Sequence, residues 1–138
     1  MTSNRQSFEG PAQIKLQSIT SSAEGRIGVA EYDRHVPFII RRVFYLYDVP
    51  STTIRGGHAH RQQQQFIICL GGQLTVMTEY ASRKVEYVLD NPLIGLYLPP
   101  LTWVDLRFDE DNSIVVAFTC SAFDETDYIR EYSEFLTN

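Results

Sequence analysis

The chain has 138 residues, 43% of them hydrophobic and 21% charged, which is the length and composition of one globular domain with an ordinary apolar core. Twelve basic residues against seventeen acidic ones give a formal net charge of −5. This balance argues against a general binder of nucleic acids or anionic membranes, which needs a basic surface, but it leaves room for a local basic pocket.

Short runs rich in β-branched and aromatic residues follow one another along the chain, with turn residues between them. Spacings of about 8 to 12 residues favour a sandwich or barrel over βαβ units. Within one run, Leu74 and Val76 alternate with polar residues, which indicates a half-buried antiparallel strand. The predicted strands are Ile14–Ile19, Gly28–Glu31, Phe38–Tyr47, Ile54–His60, Phe66–Leu70, Gln73–Tyr80, Val85–Leu89, Leu93–Leu98, Thr102–Phe108 and Ser113–Ser121.

Two local signals supplement the strands. Gly71-Gly72 can supply the positive φ of a tight hairpin turn between its flanking strands. After Asp124, which can cap a helix, apolar residues recur at three- and four-residue spacing, and this predicts one amphipathic helix over Glu125–Phe135. The predicted fold class is therefore mostly β, a small barrel with a C-terminal α-helix packed outside it.

The sequence carries no sign of membrane insertion or export. No window approaches the roughly 18 to 20 consecutive apolar residues that cross a bilayer, and Met1–Glu9 lacks the pattern of a signal peptide. Cys69 and Cys120 lie in apolar, strand-like runs and predict buried free thiols in a reducing cytoplasm. We expect a single cytoplasmic domain over residues 1–138, with residues 1–11 as a poorly ordered N-terminal extension.

A histidine pair is the clearest sign of chemistry. Of three histidines, His58 and His60 stand two residues apart, and side chains at i and i+2 of a strand share a face. Gly56 and Gly57 precede them and leave room for a bulge or a close backbone approach. Such a pair suits two imidazole metal ligands or two proton-transfer groups, and an exposed pair without function is the third interpretation.

The surroundings of the pair resemble the cupin superfamily. Its first motif has a glycine, an HxH pair, a glutamate and a later glycine; here Gln65 stands for the glutamate, and Gly71 or Gly72 follows. Its second motif has a glycine, a proline and a third histidine ligand; Gly95–Trp103 matches the outline but contains no histidine. His35 precedes the main strands and is a poor replacement. With two of the four usual ligands absent, the resemblance implies an antiparallel jelly-roll barrel and favours acid–base chemistry over a bound metal.

Longer strings resemble the sugar-nucleotide 3,4-ketoisomerases of the WxcM-like family. They are Arg42–Pro50, Arg55–His60 and Phe123–Phe135, and the likeness extends over roughly residues 12 to 136. It implies an isomerase that converts dTDP-4-keto-6-deoxyglucose into its 3-keto isomer through an enediol, with no metal or other cofactor. It also implies a homodimer with exchanged β-strands in bacterial deoxysugar biosynthesis, for example of lipopolysaccharide or S-layer glycans, with no nucleic-acid or membrane partner.

The same resemblance assigns the catalytic candidates. His60 is expected to be the principal base, and His58 the second acid–base or oxygen-polarising group. Moving a carbonyl from C4 to C3 removes the C3 proton and returns one to C4, which two groups on one strand face can serve. Tyr45 and Tyr47 share a face, so both or neither point inward. Tyr47 is the third catalytic candidate, as a hydrogen-bond donor to the sugar, and Tyr45 is a candidate for substrate binding.

A nucleoside diphosphate also requires cations, and guanidinium groups bind phosphate oxygens in pairs. Strict alternation places Arg55 opposite the histidines unless the glycines carry a bulge, while Arg107 shares the face of Trp103 and Asp105. Arg26 lies in an N-terminal region where control of the C4 configuration could lie. The candidate phosphate ligands are Arg26, Arg41, Arg42, Arg55 and Arg107, and the expected substrate-binding set is Arg55, Arg26, Arg107, Tyr45, Gln65 and Trp103.

Three alternatives stay open beside the isomerase. The first is a metal-free sugar-nucleotide epimerase that uses the same histidines on another carbon. The second is a non-catalytic cupin that binds a sugar nucleotide. The third, a metal-dependent cupin oxygenase, is disfavoured by the missing ligands.

Overall fold

A computed structural model describes residues 8–21 and 23–138 of the chain. Most of the described residues lie in short strands, and the one α-helix is a single turn. The elements are β1 (Ala12–Lys15), β2 (Gln17–Ser21), β3 (Gly25–Val29), β4 (Arg42–Leu46), β5 (Ile54–His60), β6 (Gln65–Gly71), β7 (Leu74–Tyr80), β8 (Arg83–Leu89), β9 (Ile94–Leu98), β10 (Trp103–Phe108), β11 (Ile114–Thr119), β12 (Tyr128–Ile129) and α1 (Tyr132–Phe135).

Two five-stranded sheets face each other across the core. Their strand orders are β1-β9-β6-β11-β4 and β12-β5-β10-β7-β8, and β2 and β3 form a separate two-stranded ribbon. All the named strand pairs are antiparallel. This arrangement confirms the expected antiparallel jelly-roll.

Alternation along the strands builds the core. On β7 the side chains of Leu74 and Val76 are fully buried between the sheets, as their spacing predicts. Leu96, Val115 and Phe108 meet them from other strands in the same core cluster. Both cysteines are free, as expected; Cys69 is buried, whereas Cys120 is only half-buried.

Two strand predictions are corrected. The run Ile14–Ile19 is not one strand: β1 pairs with β9, whereas β2 pairs with β3, and the chain turns at the buried Leu16 between them. Gly71-Gly72 is not a hairpin turn, because β6 and β7 belong to different sheets. Gly72 does adopt a positive φ of 78°, and a side chain there would collide with Ser113.

The predicted helix over Glu125–Phe135 is also wrong. Asp124 caps only a single 3₁₀ turn, and Tyr128 and Ile129 then pair with β5 before the short α1 begins. The apolar spacing is satisfied differently, because Ile129 and Phe135 are buried against Ala59. Tertiary pairing thus overrides the helical periodicity of this segment.

The poorly ordered extension over residues 1–11 stays a prediction. Residues 1–7 lie outside the described residues. Among residues 8–11, Phe8 packs on Tyr97 with 5.2 Å between ring centroids, and the carbonyl of Pro11 accepts a hydrogen bond from Tyr87, so this part of the extension is packed. In the described part of the chain, no helix is long and apolar enough to span a membrane.

Candidate active site

A cavity of about 180 Å³ opens between the two sheets. Apolar side chains from both sheets form most of its wall, including Leu46, Ile67 and Val104. Its polar lining is a small group, most of it on β5 and on the segments next to it: Arg55, His58, His60, Gln63, Gln65, Thr102 and Tyr128. An apolar hollow with a few convergent polar groups is the usual form of a small-molecule site.

A bulge in β5 determines which side chains of the strand face the cavity. Against β10, Val104 lies opposite His58 but Asp105 lies opposite Gly56, so Gly57 is an extra residue in the strand. Gly56 and Gly57 have φ values of 106° and 72°. The bulge shifts the alternation, and Arg55 therefore lines the same cavity as His58.

His58 and His60 project together, with 5.1 Å between ring centroids. His60 is 6% exposed, whereas His58 is half-buried. The expected common face of the pair is therefore present, and it is the face that lines the cavity.

Asp127 holds the His60 ring from behind. Its Oδ2 lies 3.2 Å from His60 Nδ1, and the same carboxylate accepts hydrogen bonds from the backbone N–H groups of Gln62 and Gln63 at 2.9 and 3.1 Å. A carboxylate can only accept, so Nδ1 carries the proton and Nε2 carries a lone pair.

The amide groups of Gln63 and Gln65 face that lone pair. Their nitrogens lie 3.4 and 3.2 Å from His60 Nε2. The hydroxyl of Ser121 donates to Gln63 Oε1 at 3.0 Å, which leaves the NH₂ group of Gln63 directed at His60. Gln65, the replacement for the cupin glutamate, is thus a hydrogen-bond donor to His60 Nε2.

Both histidines are held neutral at pH 7. The pKa of His60 is lowered to about 4. Burial is the main cause, the neighbouring His58 acts in the same direction, and Asp127 opposes both. Burial likewise lowers the pKa of His58, with Arg130 contributing in the same direction. The His60–Asp127 contact is accordingly a hydrogen bond from a neutral imidazole, the protonation state that a general base requires.

The donors at the cavity do not fit a metal ion well. His60 uses Nδ1 on Asp127, and its neighbours Gln63 and Gln65 are neutral amides that direct N–H groups at the ring, where a metal site would need carboxylate or imidazole ligands. Among the described residues, no three His, Cys, Asp or Glu side chains gather as a ligand cluster. His35 lies elsewhere, and its Nδ1 accepts the backbone N–H of Glu31.

Tyr128 covers the two histidines. Its ring centroid lies 4.4 Å from that of His60 and 4.9 Å from that of His58. The Arg130 guanidinium carbon lies 4.3 Å from the Tyr128 centroid, and Glu125 accepts two hydrogen bonds from Arg130 at 2.7 and 2.9 Å.

The sequence reasoning missed Asp127, Tyr128 and Gln63. The string Phe123–Phe135 had been singled out as characteristic, but its predicted helix placed the string outside the barrel. The available signal was the pair Tyr128-Ile129, because an aromatic residue followed by a β-branched one also favours a short strand. The partner strand, and with it the histidine contact, is a long-range pairing that no local pattern specifies.

Two tyrosine predictions are corrected by the structure. Tyr45 and Tyr47 share a face, as expected, but it is the outer face of the β4 segment, where the two are 65% and 59% exposed. Phe44 and Leu46 take the inward positions and line the cavity. Tyr47 therefore cannot contact the histidines within one chain.

Three further substrate-binding predictions also lie outside the cavity. Trp103 and Arg107 share the outer face of β10, where the Trp103 ring packs against Phe135 at 5.5 Å and the Arg107 Nε donates to Asp109 at 2.9 Å. Arg26 lies on β3 in the separate ribbon and lines a different groove, beside Leu16.

Arg42, a candidate phosphate ligand, points inward from β4 beside Phe44. Its guanidinium carbon lies 5.2 Å from the Phe44 centroid and 5.6 Å from that of Phe123. Its Nε is buried and finds no hydrogen-bond partner among the described residues. Its positive charge also contributes, as the smallest of the causes, to the lowered pKa of His60.

Comparisons with known proteins agree with this chemistry. A family model described as FdtA: WxcM-like, C-terminal, matches residues 9–138. A curated relative from Aneurinibacillus thermoaerophilus, named TDP-4-oxo-6-deoxy-alpha-D-glucose-3,4-oxoisomerase, is 33% identical over 122 residues, covering 88% of this chain and 87% of that protein.

Solved structures give the same match in three dimensions. QdtA, a sugar 3,4-ketoisomerase from Thermoanaerobacterium thermosaccharolyticum in complex with TDP, superposes with a TM-score of 0.88 at 29% identity, covering 95% of each chain. A histidine-to-asparagine mutant of QdtA in complex with TDP-4-keto-6-deoxyglucose gives a TM-score of 0.89 at 28% identity, covering 95% of this chain and 94% of that one. The RmlC epimerase of Mycobacterium tuberculosis shares the fold alone, with a TM-score of 0.74 at 16% identity over 87% of this chain and 68% of that one.

Proposed function

Because this chain belongs to the FdtA family of WxcM-like, C-terminal proteins, we propose that it is a sugar-nucleotide 3,4-ketoisomerase that moves the keto group of TDP-4-keto-6-deoxyglucose from C4 to C3. The observation that carries the proposal is the state of His60: a neutral imidazole oriented by Asp127, with a lone pair on Nε2 at the wall of the cavity. The epimerase alternative has weaker support, since the epimerase likeness extends to the fold alone.

The proposed reaction is an exchange of protons between neighbouring carbons and oxygens. His60 Nε2 takes the C3 proton, the C3–H electron pair forms the C3=C4 bond, and O4 gains a proton to give an enediol. The enediol then loses the O3 proton, C4 receives a proton, and C3 becomes the carbonyl. Asp127 stabilises the imidazolium while it exists, because its carboxylate accepts the Nδ1–H.

The residues that bind the nucleotide are assigned from two arginines, one of which lines the cavity. Arg55 lines the cavity directly, and the buried Nε of Arg42 has no partner among the described residues. A diphosphate supplies the acceptors that these guanidinium groups need. We assign Arg55 and Arg42 to the diphosphate, and Gln65 to the hydrogen bond that orients His60.

A homodimer with exchanged β-strands is part of the proposal. The outer face of the β4 sheet exposes Val43, Tyr45 and Ile114 to 50%, 65% and 44%. On the β2–β3 ribbon, Ile19 and Ile27 are 49% and 58% exposed. Contiguous exposed apolar surface is typical of an interface, and a second copy of the chain is its proposed cover. Light scattering should give twice the chain mass, and a monomer mass at all concentrations would contradict the dimer.

We further propose that the whole chain acts as one domain in the cytoplasm, where sugar nucleotides are made, and that its product enters a deoxysugar pathway such as that of lipopolysaccharide or S-layer glycans. The free thiols Cys69 and Cys120 support a reducing compartment. Fractionation of the producing cells tests the location, and appearance with exported proteins would overturn it.

Proton exchange in deuterated water tests the activity. The chelator-treated protein is incubated with TDP-4-keto-6-deoxyglucose, and the sugar is followed by NMR. We expect a 3-keto product that carries deuterium at C4. Deuterium at C5 with inversion would establish an epimerase instead, and nucleotide binding without any exchange would leave a binding protein.

The matched variant is His60→Asn. It should lose roughly 10²- to 10⁴-fold in turnover, the usual contribution of a general base. Its fold and its affinity for TDP should survive, because the amide can still approach Asp127. A near-native rate in this variant would show that His60 is not the base.

A further inference from the structure

Tyr128 occupies a position from which it can touch the substrate. In the pairing of β12 with β5 it lies directly opposite His60. Directly paired residues of neighbouring strands project to the same side of a sheet, so Tyr128 enters the cavity beside the histidines. Its place in the cavity wall and its 4.4 Å centroid distance from His60 agree with this geometry.

The Tyr128 ring is held while its hydroxyl is left available. One side of the ring meets the histidines, and Arg130, which is fixed by Glu125, lies over it. No group among residues 8–21 and 23–138 makes a hydrogen bond to the Tyr128 hydroxyl. Tyr132, four residues on, shows the contrast, because its hydroxyl donates to Glu79 at 2.8 Å. The ring is therefore fixed by its neighbours, while its hydroxyl is free to bond a ligand in the cavity.

The reaction leaves one task that His60 does not perform. His60 takes the proton from C3, but one proton must also reach O4 and another must leave O3. A phenol can perform both steps through a single oxygen, because it can give its proton to O4 and then take a proton from O3. Histidine would need a change of tautomer or of orientation to do the same.

We propose that Tyr128 is a catalytic residue whose hydroxyl transfers the oxygen-bound proton of this isomerisation, a role that rests on the proposed function. The phenol protonates O4 as His60 takes the C3 proton, and the tyrosinate then removes the O3 proton as C4 is protonated. The phenol is restored and no other reactant is consumed. Arg130 over the ring stabilises the negative charge between the two steps. His58 is left to polarise the sugar oxygens.

Tyr128→Phe tests the role of the hydroxyl alone. The ring and its packing on both histidines are kept, and only the phenol oxygen is lost. We expect kcat for TDP-4-keto-6-deoxyglucose to fall by roughly 10²- to 10⁴-fold. The KM, the affinity for TDP and the thermal midpoint should stay within error of the parent protein. The matched control is Tyr132→Phe, which removes a hydroxyl that bonds Glu79 on the outside of the barrel and should leave kcat unchanged.

Each outcome decides the proposal. A Tyr128→Phe protein that turns over within twofold of the parent overturns the catalytic role of Tyr128 and leaves the ketoisomerase function standing. A loss of rate accompanied by a lower thermal midpoint or weaker TDP binding would show a packing role instead, and would also overturn it. A parent protein that is inactive on this substrate refutes the proposed function, and the role of Tyr128 with it.

Discussion

His60 and Asp127 are separated by 67 positions in the chain, yet a 3.2 Å contact joins them, and that contact fixes the tautomer of the base. The Asp127 carboxylate accepts hydrogen bonds from His60 and from the backbone N–H groups of Gln62 and Gln63. Asp127→Asn replaces one of its two accepting oxygens with an NH₂ group, which cannot accept. We expect turnover to fall at least about 100-fold, because His60 loses the acceptor that orients its ring. The unfolding free energy should fall by about 1–3 kcal/mol, because buried donors lose an acceptor. Steady-state kinetics and urea unfolding measure the two effects.

The matched control for that variant is Glu134→Gln on the same C-terminal segment. Glu134 pairs with Arg61 at the surface, and such exposed ion pairs contribute about 0–1 kcal/mol. Near-native turnover and stability are therefore expected. If the Asp127 variant behaved like this control, the carboxylate would have no part in orienting the base.

The lowered pKa of His60 makes stability depend on pH. The unfolded histidine titrates near 6.5 and the folded one at about 4, so below pH 6.5 the unfolded state binds more protons than the folded state. The folded state therefore loses stability as the pH falls from 6.5 toward 4, by at most about 3 kcal/mol, and this group has no effect above about pH 7. Urea unfolding across this range should show a steeper dependence for the parent than for His60→Asn. Parallel curves would contradict the assignment.

At this scale the sequence predicted that the two histidines lie together but not which residues support them. The HxH spacing was sufficient to bring His58 and His60 to one face, because that relation is local. The tyrosine pair shows the limit: Tyr45 and Tyr47 could be placed on a common face, but alternation alone does not say which face is inside. Asp127 required a strand pairing that only the folded molecule contains.

The bulge in β5 is the element on which the site's geometry depends. A Cβ at Gly56 would lie 2.6 Å from the carbonyl oxygen of Val104, and its φ of 106° is unfavourable for other residues. Gly56→Ala should therefore cost at least about 2 kcal/mol of stability and lower activity by displacing His58. Urea unfolding measures the loss of stability, and steady-state kinetics on the same sample measures the loss of activity.

Gly57→Ala provides the matched comparison within the same bulge. Gly57 has a φ of 72°, and an added Cβ would meet only Asp105 at an ordinary 3.5 Å. A cost of about 1 kcal/mol is expected from the left-handed conformation alone. Equal costs at the two glycines would mean that the close approach to Val104 does not constrain the bulge.

The type and bounds of a strand or helix were predictable where its own residues determine them. The bounds of β5, Ile54–His60, match the sequence prediction, since a compact β-rich run ends there. The C-terminal segment failed because its apolar spacing is compatible with a helix as well as with a docked strand and turn. The free β5 edge decides between them by accepting Tyr128 and Ile129 as its neighbours.

For the molecule as a whole, nucleotide binding should raise the thermal midpoint. TDP at about 100 times its dissociation constant adds about 2.7 kcal/mol to the unfolding free energy, which for a domain of this size is a rise on the order of 10 °C. Thermal unfolding with and without TDP measures it. The rise should shrink for Arg55→Gln, which alters the cavity lining, and persist for Arg34→Gln, which alters an exposed pair with Glu31. An unchanged response in both variants would remove Arg55 from the nucleotide site.

The overall architecture was accessible from the sequence because many short strands with few helical runs leave little besides a sandwich or barrel. The order of strands within the sheets was not accessible, and the Gly71-Gly72 prediction failed for that reason. Strands β6 and β7 are neighbours in sequence but belong to opposite sheets, so the segment between them crosses from one sheet to the other and does not form a hairpin.

The pairing of β12 with β5 also bears on when the protein becomes active during its synthesis. The strand that carries the histidines leaves the ribosome well before Asp127, and at about 5–20 residues per second the 67 intervening positions take roughly 3–13 seconds to translate. Until the segment after β11 emerges, His58 and His60 have neither the carboxylate of Asp127 nor the ring of Tyr128 beside them. The histidine pair therefore acquires its neighbours late in synthesis, after the strands of both sheets have been translated.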